Sequence, residues 1–403
     1  MTRWHAIRRL SSYGATTALL AVVGLVSASV FVSSAGSYAW GVLASIQSAA
    51  ALFGVVVGFG WSTTGAAEVA RMPVTSRSQW FADSFTARLY LLVITYPLMV
   101  LTMGALNPSH LDLVLVGSLA YLLPNLGASW YYIGESSPSR LFLYDVLPQI
   151  CGIVASIGVM VGTQSLVLAI SAQLVFNLIA PLLGWKVLIA ASSAKPDWSI
   201  TRAFSRLQRQ RDPVITAATS ALYVSAPMLI LNAVAPASLA SYAMGDRLFR
   251  IALTVFSPIL QFVQGWIPEG GPKNVKYRMR VTLQLTPFIG ALGALCVWGF
   301  GPLAVALISR GAVSFEQSLS LPFAIVFLVV SASQVLGLAC LIQLGRAKDL
   351  ARSTVLGALA GVPMLIIGAT LWGVVGAVWA LVLSETIVLM YQAAATIRGM
   401  RRY

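Results

Sequence analysis

About twelve apolar runs, each long enough to cross a bilayer, constrain this chain more than anything else in it. A hydrocarbon core of roughly 30 Å takes about 20 apolar residues in a helix. Runs of that kind lie near 14–33, 39–60, 88–106, 112–133, 142–162 and 165–190, and again near 214–235, 239–267, 282–308, 319–344, 354–372 and 374–396. Lipid cannot satisfy backbone N–H and C=O groups, so such runs must form helices that satisfy their own. The expected fold class is all-α, a polytopic membrane protein with about 12 transmembrane helices in two six-helix lobes around a central cavity. Only 9% of the 403 residues are charged, against about 25% in soluble domains.

The N-terminus mimics a secretory signal, with Arg3, Arg8 and Arg9 ahead of an apolar run and Ser37-Tyr-Ala39 behind it. That run is span-length and no secreted domain follows, so it reads as the first crossing. Basic residues then fall in alternate loops. One side receives the N-terminal arginines, then Arg71, Arg77, Arg88, Arg140, the bases of 192–212, Lys273, Lys276, Arg278, Arg280, Arg346, Lys348, Arg352, Arg398, Arg401 and Arg402, while the other receives only Arg310. By the positive-inside rule both termini are cytoplasmic. The same rule accounts for the net charge of +14 without any nucleic-acid partner.

The longest polar interruption divides the chain into an N-lobe (1–191), a basic cytoplasmic linker (192–212) carrying Lys195, Arg202, Arg206, Arg209 and Arg211, and a C-lobe (213–403). An internal repeat supports two equivalent halves. Ser37-Tyr-Ala-Trp-Gly41 matches Ser241-Tyr-Ala-Met-Gly245, Ala15-Thr-Thr-Ala-Leu19 matches Ala218-Thr-Ser-Ala-Leu222, and Gly60-Trp61 matches Gly265-Trp266, all at nearly one offset. An even number of crossings per half makes the repeat parallel, a transporter-like arrangement.

Against that background the eighth run is exceptional, because it carries Asp246, Arg247 and Arg250. At least about 2.5–3.5 kcal/mol opposes each such charge at the bilayer centre, so these groups should face protein, water or a ligand. Asp246 and Arg250 are four residues apart and Arg247 and Arg250 three apart, which puts Arg250 beside both on a helix. In the repeat these positions are Val42, Leu43 and Ile46, so the charges are not demanded by packing shared between the halves. Either the acid and the arginines lock helices together, or the second arginine leaves an anion-binding site.

Tyr242-Ala-Met-Gly-Asp-Arg-Leu-Phe-Arg250, continuing through Phe256-Ser-Pro258 to Pro268, resembles the eighth-helix region of the Wzx-type polysaccharide flippases. Trp130-Tyr-Tyr-Ile-Gly-Glu135, the segment from Gly60 to Arg71, and Ser384-Glu385 are similar to that family's pattern too. Ile133 stands where the family often has glutamine. The resemblance implies a member of the multidrug/oligosaccharidyl-lipid/polysaccharide exporter superfamily in the bacterial inner membrane. Its cargo would be an undecaprenyl-diphosphate-linked oligosaccharide, flipped outward by alternating access for O-antigen, capsule or exopolysaccharide synthesis. Membrane lipid, a glycan polymerase and glycosyltransferases would be its partners. A guanidinium is well matched to a diphosphate, so Arg250 and Arg247 would bind the cargo and Asp246 would orient them.

Glu385, flanked by apolar residues, and Asp145 are candidates for coupling to a proton gradient; the bland alternatives are a hydrogen bond to Ser384 or pairing with an arginine for Glu385, and a gate or a salt bridge to Arg140 for Asp145. Arg88 and Asp83 read as cytoplasmic-surface groups. Arg310 either meets a leaving headgroup or pairs with Glu316. Gln47, Gln261, Gln264, Gln334 and Gln343 either line a sugar path or bond helices together. Trp61, Trp130, Tyr131, Tyr132, Trp266 and Trp372 read as an aromatic belt. Cys151, Cys296 and Cys340 show no metal spacing and read as unpaired. No cofactor motif or Walker A sequence is present, and His5 and His110 build no catalytic dyad, so a transporter rather than an enzyme is expected. The alternatives are a cation-coupled drug or metabolite exporter of the same fold, and an integral-membrane glycan polymerase or glycosyltransferase.

Overall fold

A computed structural model describes residues 3–192, 194–209, 211–269 and 271–402. The side chains of 3–18, 209, 211–213, 215, 216, 219, 272, 273 and 402 lie outside the described residues, among them Arg3, Arg8, Arg9, Arg209, Arg211, Lys273 and Arg402 of the charge pattern. The chain is all-α, with no strand among the described residues. Its helices are α1 (Arg3–Ala35), α2 (Ser37–Gly58), α3 (Trp61–Arg71), α4 (Val74–Leu106), α5 (Leu111–Leu122), α6 (Ser129–Gly134), α7 (Pro138–Leu141), α8 (Leu147–Thr163), α9 (Leu166–Gly184), α10 (Ile200–Arg209), α11 (Arg211–Val234), α12 (Leu239–Glu269), α13 (Gly271–Ser309), α14 (Gln317–Gln334) and α15 (Ala347–Arg402).

Among the described residues, nine segments are long and apolar enough to cross a membrane. The last, Ala347–Arg401, is two helices joined at Trp372 and Gly373, whose backbone leaves the helical region (φ −130° and 58°). With that segment counted as two crossings and the shorter apolar helices Leu19–Ala35 and Ser220–Val234 added, the described residues hold the twelve crossings expected from the sequence. The protein is a multi-pass membrane protein.

The chain divides into two compact units, Met1–Ser225 and Ala226–Tyr403, with the division inside α11. In the first, α8 packs on α9, α5 on α2 and α9, and α3 on α6. In the second, α14 packs between α13 and α15, and α12 lies against α13 and α14.

Two crossings differ from the hydropathy reading for identifiable reasons. The run at 88–106 is only part of α4, which starts at Val74 and continues through Asp83 and Arg88. Both charges rest against protein rather than lipid, so the helix need not stop at them. The run at 112–133 breaks after α5 into a tighter 3-10 turn, Leu123–Leu126, before α6; Pro124 has no N–H to donate there. By contrast α12 continues through Pro258 without leaving the helix. Wider π turns, often found at functional sites, occur at Phe142–Val146, Trp185–Ala190 and Val335–Leu341.

Part of 192–212 folds as α10 and docks on the first part of α4. Arg206 pairs with Asp83 at 3.0 Å and Asp197 at 3.2 Å, and Arg202 pairs with Asp197 at 2.8 Å. Gln79 receives the Lys195 N–H and donates to the Lys195 carbonyl, while the Tyr90 hydroxyl donates to the Trp198 carbonyl at 2.7 Å. The Ser199 N–H first, and then Arg202 and Arg206, hold the Asp197 carboxyl below the usual carboxylate range.

Candidate functional site

α12 presents three different faces, and the difference is written in its sequence at 3.6 residues per turn. Tyr242, Gly245, Phe256, Leu260 and Ile267 form its buried face, with Tyr242 against Phe323 and Phe256 against Phe327 of α14. Glycine is required at 245, because a Cβ there would lie 2.2 Å from the Phe323 ring and 2.8 Å from that of Phe315. That close approach fixes the helix one residue before Asp246.

Asp246, Arg250, Thr254, Ser257, Gln261 and Gln264 follow one another at spacings of four, four, three, four and three, which keeps them on one face for about 27 Å. Arg250 Nε donates to Asp246 Oδ2 at 2.7 Å, with the two side chains 52% and 24% exposed. The pair expected from the i,i+4 spacing therefore forms. Thr254 and Ser257 donate their hydroxyls to the carbonyls of Arg250 and Thr254, at 2.9 and 2.8 Å, which leaves each hydroxyl oxygen with acceptor capacity. Arg247 is half-buried at the shoulder of this stripe. The sequence reading singled out the charges and the two glutamines but missed Thr254 and Ser257; the signal was the same three-and-four spacing continued past Arg250.

The first unit holds a buried charged cluster that the sequence placed at the surface. Arg88 is 1% exposed. Its Nη1 donates to the carbonyls of Asn125 (2.8 Å) and Gly127 (2.9 Å), its Nε and Nη2 reach Ser84 at 3.3 Å, and its guanidinium lies over the rings of Phe81 and Trp130. Those carbonyls are the ones released where α5 ends in the 3-10 turn, so the arginine satisfies a broken helix. Asp145, 5% exposed, closes on the same point from the π turn: a Cβ on Gly127 would lie 2.4 Å from its Oδ1. Gln149 donates to Asp145 Oδ2 at 3.3 Å. The expected Asp145–Arg140 pair does not form, because Arg140 pairs with Glu135 at 3.3 Å while Asp145 turns inward.

Glu385 is half-buried in the second part of α15, and the neighbouring Ser384 hydroxyl donates to the Gly357 carbonyl at 2.8 Å. Gln47 donates to the Tyr121 hydroxyl at 2.9 Å, a helix-to-helix bond within the first unit. The aromatic belt is corrected in part: Trp61, Trp130, Tyr131 and Tyr132 are buried, packing around Phe81 and Trp80, while Trp372 is exposed. The three cysteines are unpaired, and no group of metal-ligating side chains occurs among the described residues.

Solved structures share this architecture. A lipid II flippase MurJ in an inward closed conformation superposes with a TM-score of 0.74 at 11% identity, over 96% of this chain and 88% of its own. The fold is shared with solved transporters of the MOP superfamily. An inward-facing multidrug-resistance MATE transporter of the MOP superfamily gives 0.65 at 15% identity, covering 95% of this chain and 94% of its own. A MOP-superfamily transporter from Pyrococcus furiosus, described by a reversed polarity of its binding pocket, gives 0.57 at 16% identity over 98% and 95%. No family model matches the sequence, and neither does any curated protein. The MOP fold thus rests on three-dimensional likeness alone.

Proposed function

We propose that this protein is a flippase that moves an undecaprenyl-diphosphate-linked oligosaccharide from the cytoplasmic to the outer leaflet of a bacterial inner membrane by alternating access. In this reading it serves surface polysaccharide synthesis, with both termini cytoplasmic and with glycosyltransferases and a glycan polymerase acting before and after it. The observation that carries the proposal is the Asp246–Arg250 pair set at one end of the polar stripe of α12. Charges in a membrane-spanning helix need protein, water or ligand beside them. The arginine fork of Arg250, half exposed beside its acid, suits a phosphate. Asp246 orients the guanidinium of Arg250, and Arg247 adds positive charge at the shoulder. The neutral groups of Thr254, Ser257, Gln261 and Gln264 offer hydrogen bonds to sugar hydroxyls along the remaining length. Glu385 and Asp145 are the groups assigned to proton coupling.

Export of cationic drugs by the same fold is the weaker reading, because a cationic cargo would meet the arginines of α12. The test is Arg250→Ala in cells that depend on the protein for surface glycan. The variant is expected to reach the membrane at normal levels and to leave lipid-linked glycan on the inner leaflet; normal surface glycan would refute the anion-site assignment.

A further inference from the structure

The apolar face of α12, roughly opposite the polar stripe, borders a groove shared with α13. Two hollows of about 430 and 390 Å³ lie along it and have Phe256, Ile259 and Ile289 in common, so they are parts of one channel open to the side. One end reaches Leu248 and Ala304, immediately after Arg247 in the sequence; the other reaches Trp266, Val281 and Thr282. From Leu248 to Trp266 the groove follows α12 for about 27 Å, close to the full thickness of a hydrocarbon core.

At the Trp266 end the otherwise apolar lining includes Thr282 and Thr286, and Arg278 lies beside it against Trp266. Arg278 stacks on the Trp266 ring at 4.9 Å and donates to the Trp266 carbonyl. Thr282, four residues later and so on the same face of α13, is 4% exposed, and its hydroxyl has no hydrogen-bond partner although it lines the hollow. A buried hydroxyl left unpaired is expensive and asks for a ligand atom. A guanidinium with donors remaining beyond the one used, next to an unpaired hydroxyl, is a donor set for phosphate oxygens.

We propose that this groove seats the cargo's polyprenyl chain, with its phosphate on Arg278 and Thr282 before transfer toward Arg250. The proposal rests on the flippase reading and adds a loading site to it. Length selects the occupant. Cys296 lines the groove and lies about 21 Å along α13 from Thr282, beyond the roughly 15 Å of one leaflet. The acyl chains of a phospholipid held at the same phosphate position end before it, whereas a long polyprenyl chain passes it.

Cys296 is exposed, in contrast to buried Cys340 and half-buried Cys151, and is therefore a built-in reporter. The purified full-length protein would be alkylated with a lipid-soluble maleimide, and Cys296 labelling followed by peptide mass spectrometry. Undecaprenyl phosphate, which carries no glycan, is expected to slow labelling several-fold, and phosphatidylglycerol to leave it unchanged. Arg278→Ala should raise the concentration of undecaprenyl phosphate required about tenfold or more, the loss of a charge-assisted contact. Equal protection by phosphatidylglycerol, or none by undecaprenyl phosphate, overturns the assignment. A diazirine-tipped polyprenyl phosphate gives a second readout that does not depend on thiol reactivity: cross-links on the α12 and α13 groove residues support the site, and cross-links confined elsewhere overturn it. Because these probes lack glycan, the groove can fail while Arg250→Ala still blocks glycan delivery, and the reverse.

Discussion

Removing Arg88 should unfold the first unit at a markedly lower temperature. The side chain is 1% exposed and makes two short bonds to backbone carbonyls, at 2.8 and 2.9 Å. Hydrogen bonds from a charged donor contribute about 1.5–3 kcal/mol each. Arg88→Ala also takes away the cation near Asp145, which stays buried beside Gly127. The two bonds together make about 3–5 kcal/mol the expected loss. For a unit of 225 residues that corresponds to a fall in Tm of roughly 6–20 °C, at the 2–4 °C per kcal/mol of soluble domains of this size. Thermal unfolding followed by tryptophan fluorescence in detergent measures it. The double variant Arg88→Leu with Asp145→Leu should melt higher than Arg88→Leu alone, since it removes the stranded charge. An Arg88→Ala protein melting within about 1 °C of the parent would refute the reasoning, as would a double variant no better than the single.

Gly245→Ala brings a methyl group into the rings of Phe323 and Phe315; overpacking of this kind costs about 1–3 kcal/mol, and transport should fall although Asp246 and Arg250 are intact, read by unfolding and glycan delivery on one preparation. Glu385→Gln and Asp145→Asn cannot release a proton, so the variant at the true coupling position should lose the pH dependence of transport in proteoliposomes. Unchanged pH profiles in both would remove proton coupling through these residues.

The parts of this protein that follow from local spacing were legible. Hydropathy is a property of consecutive residues, so the crossings emerged from the runs themselves, including the turn at Trp372–Gly373. The Asp246–Arg250 bond was equally local, because an i,i+4 separation fixes the neighbours on any helix. Even the missed Thr254 and Ser257 were recoverable from the same periodicity.

What depended on distant partners was not. Arg88 borders an apolar run exactly as a surface arginine would, and its burial is decided by Asn125, Gly127 and Trp130 from beyond the next turn of chain. The apparent belt residues Trp61 and Tyr132 are core for the same reason. The groove along α12 and α13 was invisible, because apolar residues that fill a core and those that line a hollow have the same hydropathy. The sequence alone therefore determined how many times the chain crosses the membrane and which helix carries the charges. Tertiary packing alone decided which charge is buried and where apolar surface stays open, because both depend on which helices meet.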